Sequence, residues 1–238
     1  MVEEIRLLKE WIEASNNIVF FGGAGVSTES GIPDFRSTDG LYNRKYDYSP
    51  ETILSHRFFL SHTVEFYEFY RDKMIYRDAE PNITHRKLKE LEDQGKLKGI
   101  ITQNIDGLHQ KAGSKKVLEL HGSILRNYCM RCKASYSMED ILNSEEVPTC
   151  DCGGIIKPDV VLYEEPLKEA VMEEAIRLIS RAELLLIGGT SLSVYPAAGL
   201  INYYQGDKLV LINKSVTPFD ASANLLLTSS LGEVFSNI

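Results

Sequence analysis

The sequence predicts an α/β protein built on a doubly wound parallel sheet, with two inserts that together form a smaller domain. Three observations carry this. Short apolar runs recur along the 238 residues at Ile18–Phe21, Gly99–Thr102, Val117–Leu120, Leu184–Ile187, Leu209–Ile212 and Leu225–Leu227. Segments with helical spacing separate several of them, and strands alternating with helices give a sheet covered on both faces. Two stretches break that rhythm: Ser37–Pro81, crowded with aromatic residues, and Leu125–Pro158, which holds all four cysteines.

The first element is a helix. Val2, Ile5, Leu8 and Ile12 share one helical face, and Glu3, Glu4 and Arg6 interrupt any apolar core of the kind a signal peptide carries. The first apolar run then empties into GGAGVSTESGIPDFR. Gly23, Ala24 and Gly25, followed by Ser27 and Thr28, make a turn whose backbone N–H groups and following helix N-terminus can face a pyrophosphate. Such a turn also occurs without a ligand. In a dehydrogenase, an Asp or Glu about 20 residues on ends a second strand and holds a ribose. Here that region is the aromatic insert, and neither Asp39 nor Asp47 ends an apolar run. A dinucleotide is expected; hydride transfer is not implied.

The aromatic insert carries Tyr42, Tyr46, Tyr48, Phe58, Phe59, Phe66, Tyr67, Phe69, Tyr70 and Tyr76, with helical spacing near Val64–Met74. A helix over Thr84–Gln94 turns Leu88 and Leu91 inward and takes Gly95 as its C-cap. Another spans Leu167–Arg181, with Val171, Ala175, Leu178 and Ile179 on one face. The strand ends are polar. Gln103, Asn104, Asp106 and His109 follow the second strand, His121 the third, Thr190 and Ser191 the fourth, and Asn213 the fifth. Any one of these could be a cap or turn residue. Together they point to one crevice, because ligands of doubly wound sheets sit at the carboxyl ends of the strands. The unperturbed histidine pKa of about 6.5 suits His121 to a general base, and Gly122 beside it would let a substrate approach closely.

In the second insert, CMRC at Cys129–Cys132 is followed, after seventeen residues, by CDC at Cys150–Cys152. Two close pairs separated by a hairpin length place four thiolates around one tetrahedral zinc, the pattern of a zinc ribbon. Four ligands leave no open position, so this zinc is expected to be structural. The competing readings are unpaired buried thiols and a redox pair. A redox pair usually opens a helix after a strand and leaves Cys150 and Cys152 unexplained.

Composition bounds the rest. Hydrophobic residues make up 43% and charged residues 25%, an ordinary globular balance. The net charge of −8 argues against tight nonspecific nucleic-acid binding, and no specific nucleic-acid partner is expected. No apolar run approaches the ~20 residues of a membrane span, so no membrane association and a cytoplasmic location are expected, and there the cysteines would not form disulfides.

At this point the residues resemble the sirtuin family, the NAD-dependent protein deacylases. GAGVSTESGIPDFR, TQNID, HG, the cysteine quartet, GTSLSVYPA and the IN at Ile212-Asn213 stand in that family's order, covering Ala24 to Asn213. The resemblance implies a Rossmann-like domain (residues 1–36, 77–124 and 159–238). It also implies a small domain made of a helical insert (37–76) and a zinc ribbon (125–158). It implies an NAD-dependent lysine deacetylase that acts on acetyl-lysine-containing proteins. Such an enzyme cleaves NAD to nicotinamide and yields O-acetyl-ADP-ribose and free lysine. Carried over by motif, Ala24, Thr28, Phe35 and Arg36 hold the phosphates and ribose. Gln103, Ile105 and Asp106 line the nicotinamide pocket, with Asp106 accepting from the carboxamide. Asn104 positions the ribose and a water, and His121 takes a ribose hydroxyl proton. Thr190, Ser191 and Asn213 face the adenosine half, and Leu231 contacts the adenine. Val160 and Val161 form the edge that pairs with the substrate peptide.

The sequence departs from the family pattern at Leu162-Tyr163-Glu164, where many members carry Phe-Gly-Glu; this bears on the peptide and acyl-chain wall. On the aromatic helix, Tyr67 matches a Tyr of the desuccinylating branch, but Tyr70 stands where that branch has Arg, and Arg71 is rotated by about 100°. Neutral acyl groups, acetyl first, are therefore expected. Three other functions compete with deacetylation: an ADP-ribosyltransferase, a non-catalytic NAD-sensing or zinc-ribbon module, and a dehydrogenase. An intact His121 disfavours the first, His121 together with Asn104 the second, and the missing ribose carboxylate the third.

Overall fold

The structure, a computed structural model, describes residues 2–34 and 47–238; Phe35, Arg36, Asp39, Tyr42 and Tyr46 lie outside the described residues. In chain order the strands are β1 (Ile18–Gly22), β2 (Leu97–Thr102), β3 (Val117–Glu119), β4 (Gly122–Cys129), β5 (Ser135–Ser137), β6 (Ile156–Val160), β7 (Leu184–Gly188), β8 (Leu209–Ile212) and β9 (Leu225–Leu227). The α-helices are α1 (Val2–Ala14), α2 (Pro50–Ile53), α3 (His56–Ser61), α4 (Thr63–Lys73), α5 (Ile83–Asp93), α6 (Leu108–Lys111), α7 (Met138–Asn143), α8 (Glu169–Arg181) and α9 (Leu231–Phe235).

Each of the apolar runs expected to be a strand lies in one parallel sheet, ordered β3-β2-β1-β7-β8-β9. The order reverses between β1 and β7, and this switch point opens a crevice at the carboxyl ends of those two strands. Alternation along β1 sends Ile18 and Phe20 to one face, against α1, α5 and α9, and Val19 and Phe21 to the other, against α8. Each fully buried large apolar side chain contributes about 1.5–3 kcal/mol. Burial on both faces is why these strands read as continuous apolar runs rather than alternating ones.

Helix ends follow their capping chemistry. Asn82 caps α5, accepting from the Thr84 amide at 3.0 Å, and the His85 side chain closes a capping box. Gly95 takes φ 72° just past α5, as its position predicts. The aromatic insert supplies α2, α3 and α4. Their core side chains, Phe59, Phe66, Tyr67 and Tyr70, pack with Cys129, Ile141, Cys150 and Ile156 of the cysteine insert. The two inserts therefore share a core, arranged around the antiparallel sheet β5-β4-β6. Strands β4 and β6 run across the expected boundaries at 124/125 and 158/159. No described helix is long and apolar enough to cross a membrane.

Two local expectations are corrected. The glycine turn after β1 opens onto two 3-10 turns, Ala24–Val26 and Thr28–Ser30, rather than onto the N-terminus of an α-helix. Gly31, in the left-handed region at φ 83°, and Pro33 after it stop the chain from continuing as a helix. Gly122 serves strand pairing and not substrate approach. It sits at φ 77° opposite Val160, and a Cβ there would fall 1.8 Å from the Asp159 carbonyl oxygen.

Candidate active site

The switch-point crevice is built from backbone first. Gly22 and Gly188 pair across β1 and β7, and the Gly25 amide donates to the Gly189 carbonyl at 2.8 Å. A Cβ on Gly25 would lie 2.7 Å from the Gly189 Cα, so glycine is required where the two loops touch. Above this contact lies a cleft of about 810 Å³, within the range of cofactor sites.

All the described residues expected to bind cofactor or substrate line this cleft. Ala24 and Thr28 come from the loop after β1, and Gln103, Asn104, Ile105 and Asp106 from the end of β2. His121 follows β3, Thr190 and Ser191 follow β7, Asn213 follows β8, and Leu231 opens α9. Val160 and Val161 form part of the opposite wall. His109 does not join them. It is buried behind the cleft, with its ring 4.7 Å from that of His85 and neither ring nitrogen hydrogen-bonded.

Hydrogen bonds order the polar groups. The Asn104 Nδ2 donates to Ser27 Oγ at 3.0 Å, and Ser27 Oγ donates to Asp106 Oδ2 at 2.6 Å. Asp106 Oδ1 accepts from the Leu108 amide at 2.8 Å. Burial raises the Asp106 pKa above the ordinary carboxylate value, while Ser27 and the Leu108 amide oppose the rise. Thr190 Oγ1 donates to Gln103 Oε1 at 3.0 Å, leaving the buried Gln103 Nε2 without a partner. Asn213 Nδ2 donates to the Thr190 carbonyl at 3.2 Å, tying the ends of β7 and β8 together. Sequence reasoning missed Ser27 as a side-chain participant, because one hydroxyl in a glycine-rich turn looks like turn chemistry.

His121 Nδ1 lies 2.9 Å from the Gln103 carbonyl oxygen. A carbonyl only accepts, so Nδ1 carries the proton and the neutral ring keeps a lone pair on Nε2. Burial lowers the His121 pKa, and the bond to Gln103 partly offsets this. The ring is therefore neutral at physiological pH, the state a base requires.

Tyr67 and Tyr70 do not reach the cleft. Both are fully buried in the small-domain core, and the Tyr67 hydroxyl donates to the Ile156 carbonyl. Arg71 is anchored to Ile141, Ser144 and Glu146 around α7. These residues pack the small-domain core and are not among the described residues that line the cleft. The departure from Phe-Gly-Glu also shifts by one residue. Glu164 occupies the left-handed region at φ 77°, so Tyr163-Glu164-Glu165 is the register in which a glycine would fit.

Away from the cleft, the sulfur atoms of Cys129, Cys132, Cys150 and Cys152 all lie within 4.8 Å of one another. Two sulfur pairs, Cys129–Cys152 and Cys132–Cys150, stand at 3.5 Å. Zinc–sulfur bonds of about 2.3 Å in a tetrahedron put sulfurs about 3.8 Å apart, so the quartet fits one zinc ion. Amides of Arg131 and Cys132 donate to Cys129 Sγ at 3.3 and 3.4 Å, which stabilises a thiolate. The tight Cys-x-Cys pair is accommodated by a turn in which Gly153 takes φ 78° and the Cys150 amide donates to the Gly154 carbonyl at 2.8 Å.

The comparisons agree with this geometry. A family model described as the Sir2 family matches residues 23–196. The chain is 60% identical over 235 residues to an NAD-dependent protein deacetylase of Clostridium tetani, covering 97% of this chain and 95% of that protein. It is 57% identical over 242 residues to one of Clostridium acetobutylicum, covering 100% of this chain and 99% of that protein. A solved Sir2 structure with a deacetylated p53 peptide and 3′-O-acetyl-ADP-ribose superposes with a TM-score of 0.91 at 41% identity, covering 98% of this chain and 96% of that one. A Sir2 complex with a p53 peptide and NAD+ gives a TM-score of 0.86 at 41% identity, covering 98% and 95%. The chain belongs to the Sir2 family.

Proposed function

We propose that this protein is an NAD-dependent protein lysine deacetylase. The observation that carries the reading is the set of groups converging on one cleft. The bridge from Asn104 through Ser27 to Asp106 and the buried, unpartnered Gln103 Nε2 meet His121, whose Nε2 is free to take a proton. NAD, as co-substrate, supplies the ADP-ribosyl group that accepts the acyl group once nicotinamide has departed.

The residues divide the work. Ala24 and Thr28 hold the phosphate and ribose side with Phe35 and Arg36, and Thr190, Ser191, Asn213 and Leu231 hold the adenosine half. Gln103, Ile105 and Asp106 enclose the nicotinamide, and Asn104 orients the ribose. His121 Nε2 removes a ribose hydroxyl proton and passes it on as the acyl group transfers. Val160 and Val161 pair with the backbone of an acetyl-lysine-containing protein. Zinc on the cysteine quartet folds the ribbon and takes no chemical part. A cytoplasmic location completes the reading, as does the absence of nucleic-acid partners, which the net charge of −8 supports.

Mixing the protein with NAD and an acetylated peptide tests this by mass spectrometry. Nicotinamide, O-acetyl-ADP-ribose and the peptide lighter by one acetyl group are the expected products. An ADP-ribosylated peptide, or no turnover of NAD, overturns the reading.

A further inference from the structure

The chain leaving β6 is held by an ion pair between the buried Lys157 and the partly buried Glu165 that none of the steps above uses. Lys157 is 4% exposed. Its Nζ donates to the Val160 carbonyl at 2.9 Å and to Glu165 Oε2 at 3.1 Å. Glu165 Oε2 also accepts from the Leu162 amide at 2.9 Å, and its Oε1 meets His56 Nδ1 at 2.8 Å. Glu164, in the left-handed region, turns the chain so that Glu165 folds back beneath Leu162.

The segment these groups hold is strung between the two parts of the molecule. The Val161 amide donates to the His121 carbonyl at 2.9 Å. Two residues on, the Tyr163 amide donates to Leu54 and the Tyr163 carbonyl accepts from His56, each at 2.9 Å, so that Tyr163 bridges to Ser55 beside α3. Among the described residues, the pair's bonds fall on residues 157–165 and on His56, and none falls on the glycine loop, the end of β2 or the ends of β7 and β8. Burying two opposite charges adds little net stability compared with an apolar pair, whereas it fixes geometry through directed bonds.

We propose that Lys157 and Glu165 are positioning residues for the acylated peptide. They fix the path of the Val160–Val161 edge relative to His121 and so govern peptide affinity, not NAD affinity. This rests on the functional reading above, in which the peptide pairs along that edge.

The test measures steady-state kinetics and calorimetric peptide binding on the full chain, with one acetylated peptide. Lys157→Met and Glu165→Gln are expected to raise peptide KM and Kd about 10-fold, the scale of one lost charge-assisted hydrogen bond. NAD KM stays near wild type. Lys157→Arg, which keeps the charge and donors, recovers most of the affinity. His56→Ala, at the outer end of the cluster, gives a smaller rise in the same constant. Folded variants with wild-type peptide KM overturn the proposal, as does an equal rise in both KM values. Should Lys157→Met and Glu165→Gln fail to fold, His56→Ala decides, and an unchanged peptide KM there overturns it. Absence of NAD turnover by the wild-type protein defeats the functional reading instead, and peptide Kd still reports on the edge.

Discussion

The hydroxyl of Ser27 stands 2.6 Å from the carboxylate of Asp106, joining residues 79 positions apart at the floor of the cleft. The same oxygen accepts from Asn104, so one small side chain orients two groups expected to face NAD. Ser27→Ala removes the 2.6 Å hydroxyl bond from a buried carboxylate. Loss of a hydrogen bond to a charged group costs about 1.5–3 kcal/mol. The expected result is a fall of roughly 10- to 100-fold in kcat/KM for NAD. A variant with wild-type kcat/KM would show that the hydroxyl is idle.

His121→Ala is expected to retain NAD binding and to lose about 10²-fold or more in deacetylation, as for a lost general base. The sign of the pH dependence follows from the lowered His121 pKa. The base works when neutral, so activity is full above that pKa and falls as pH drops through it. The acid limb of the wild-type profile therefore lies below the ordinary histidine value of about 6.5. A limb above 7 in kcat/KM would assign the base to another group.

One zinc per chain is expected on Cys129, Cys132, Cys150 and Cys152. Cys129 and Cys150 lie in the same core cluster as Phe66 and Tyr67. Cys150→Ser should therefore release the metal and loosen the helical insert along with the ribbon, because closed zinc sites contribute folding energy. Metal analysis of freshly purified protein and hydrogen exchange over α4 check the two halves of this claim. Protein that is free of zinc as purified would contradict it.

Acid should destabilise the fold through His85 and His109. Burial lowers their pKa values, to about 4 and about 3. The unfolded chain therefore binds more protons below the ordinary value of about 6.5, and stability is lost as pH falls from there towards the folded values. The loss is on the order of 3 kcal/mol for each histidine by pH 4. His109→Leu removes two buried nitrogens that have no hydrogen-bond partner. It is expected to flatten the pH dependence of urea unfolding and to cost little at pH 7.5. An unchanged slope between pH 6.5 and 4 would exclude this source.

Much of the molecule is legible in the sequence because burial on both faces leaves a plain mark. A central parallel strand such as Ile18–Phe21 must be apolar at every position, and a polar residue directly after such a strand falls at the cleft. That is how Gln103, Asn104, His121, Thr190 and Asn213 could be named in advance. Ligand chemistry is equally local at the cysteines, where spacing alone brings four sulfurs within bonding range of one ion. Local signals fail where two distant segments decide the outcome. His109 follows the same strand as Asp106, three residues further on, and the short turn of α6 carries it under the sheet against Phe20 and His85. Tyr67 and Tyr70 sit at helical spacing that suits either a pocket wall or a core. The ribbon strand β6 made them core by placing the Ile156 carbonyl above Tyr67.

The sequence by itself determined the six strands of the parallel sheet, the order of the cleft residues and the clustering of the four cysteines, because each follows from a repeating or closely spaced pattern along the chain. Only the tertiary structure decided which hydroxyl bridges Asn104 to Asp106, why Gly122 is glycine, and what lies beneath the Val160–Val161 edge. Those contacts join residues tens of positions apart, and their energies depend on distances and burial that arise only when the sheet and the two inserts have packed together.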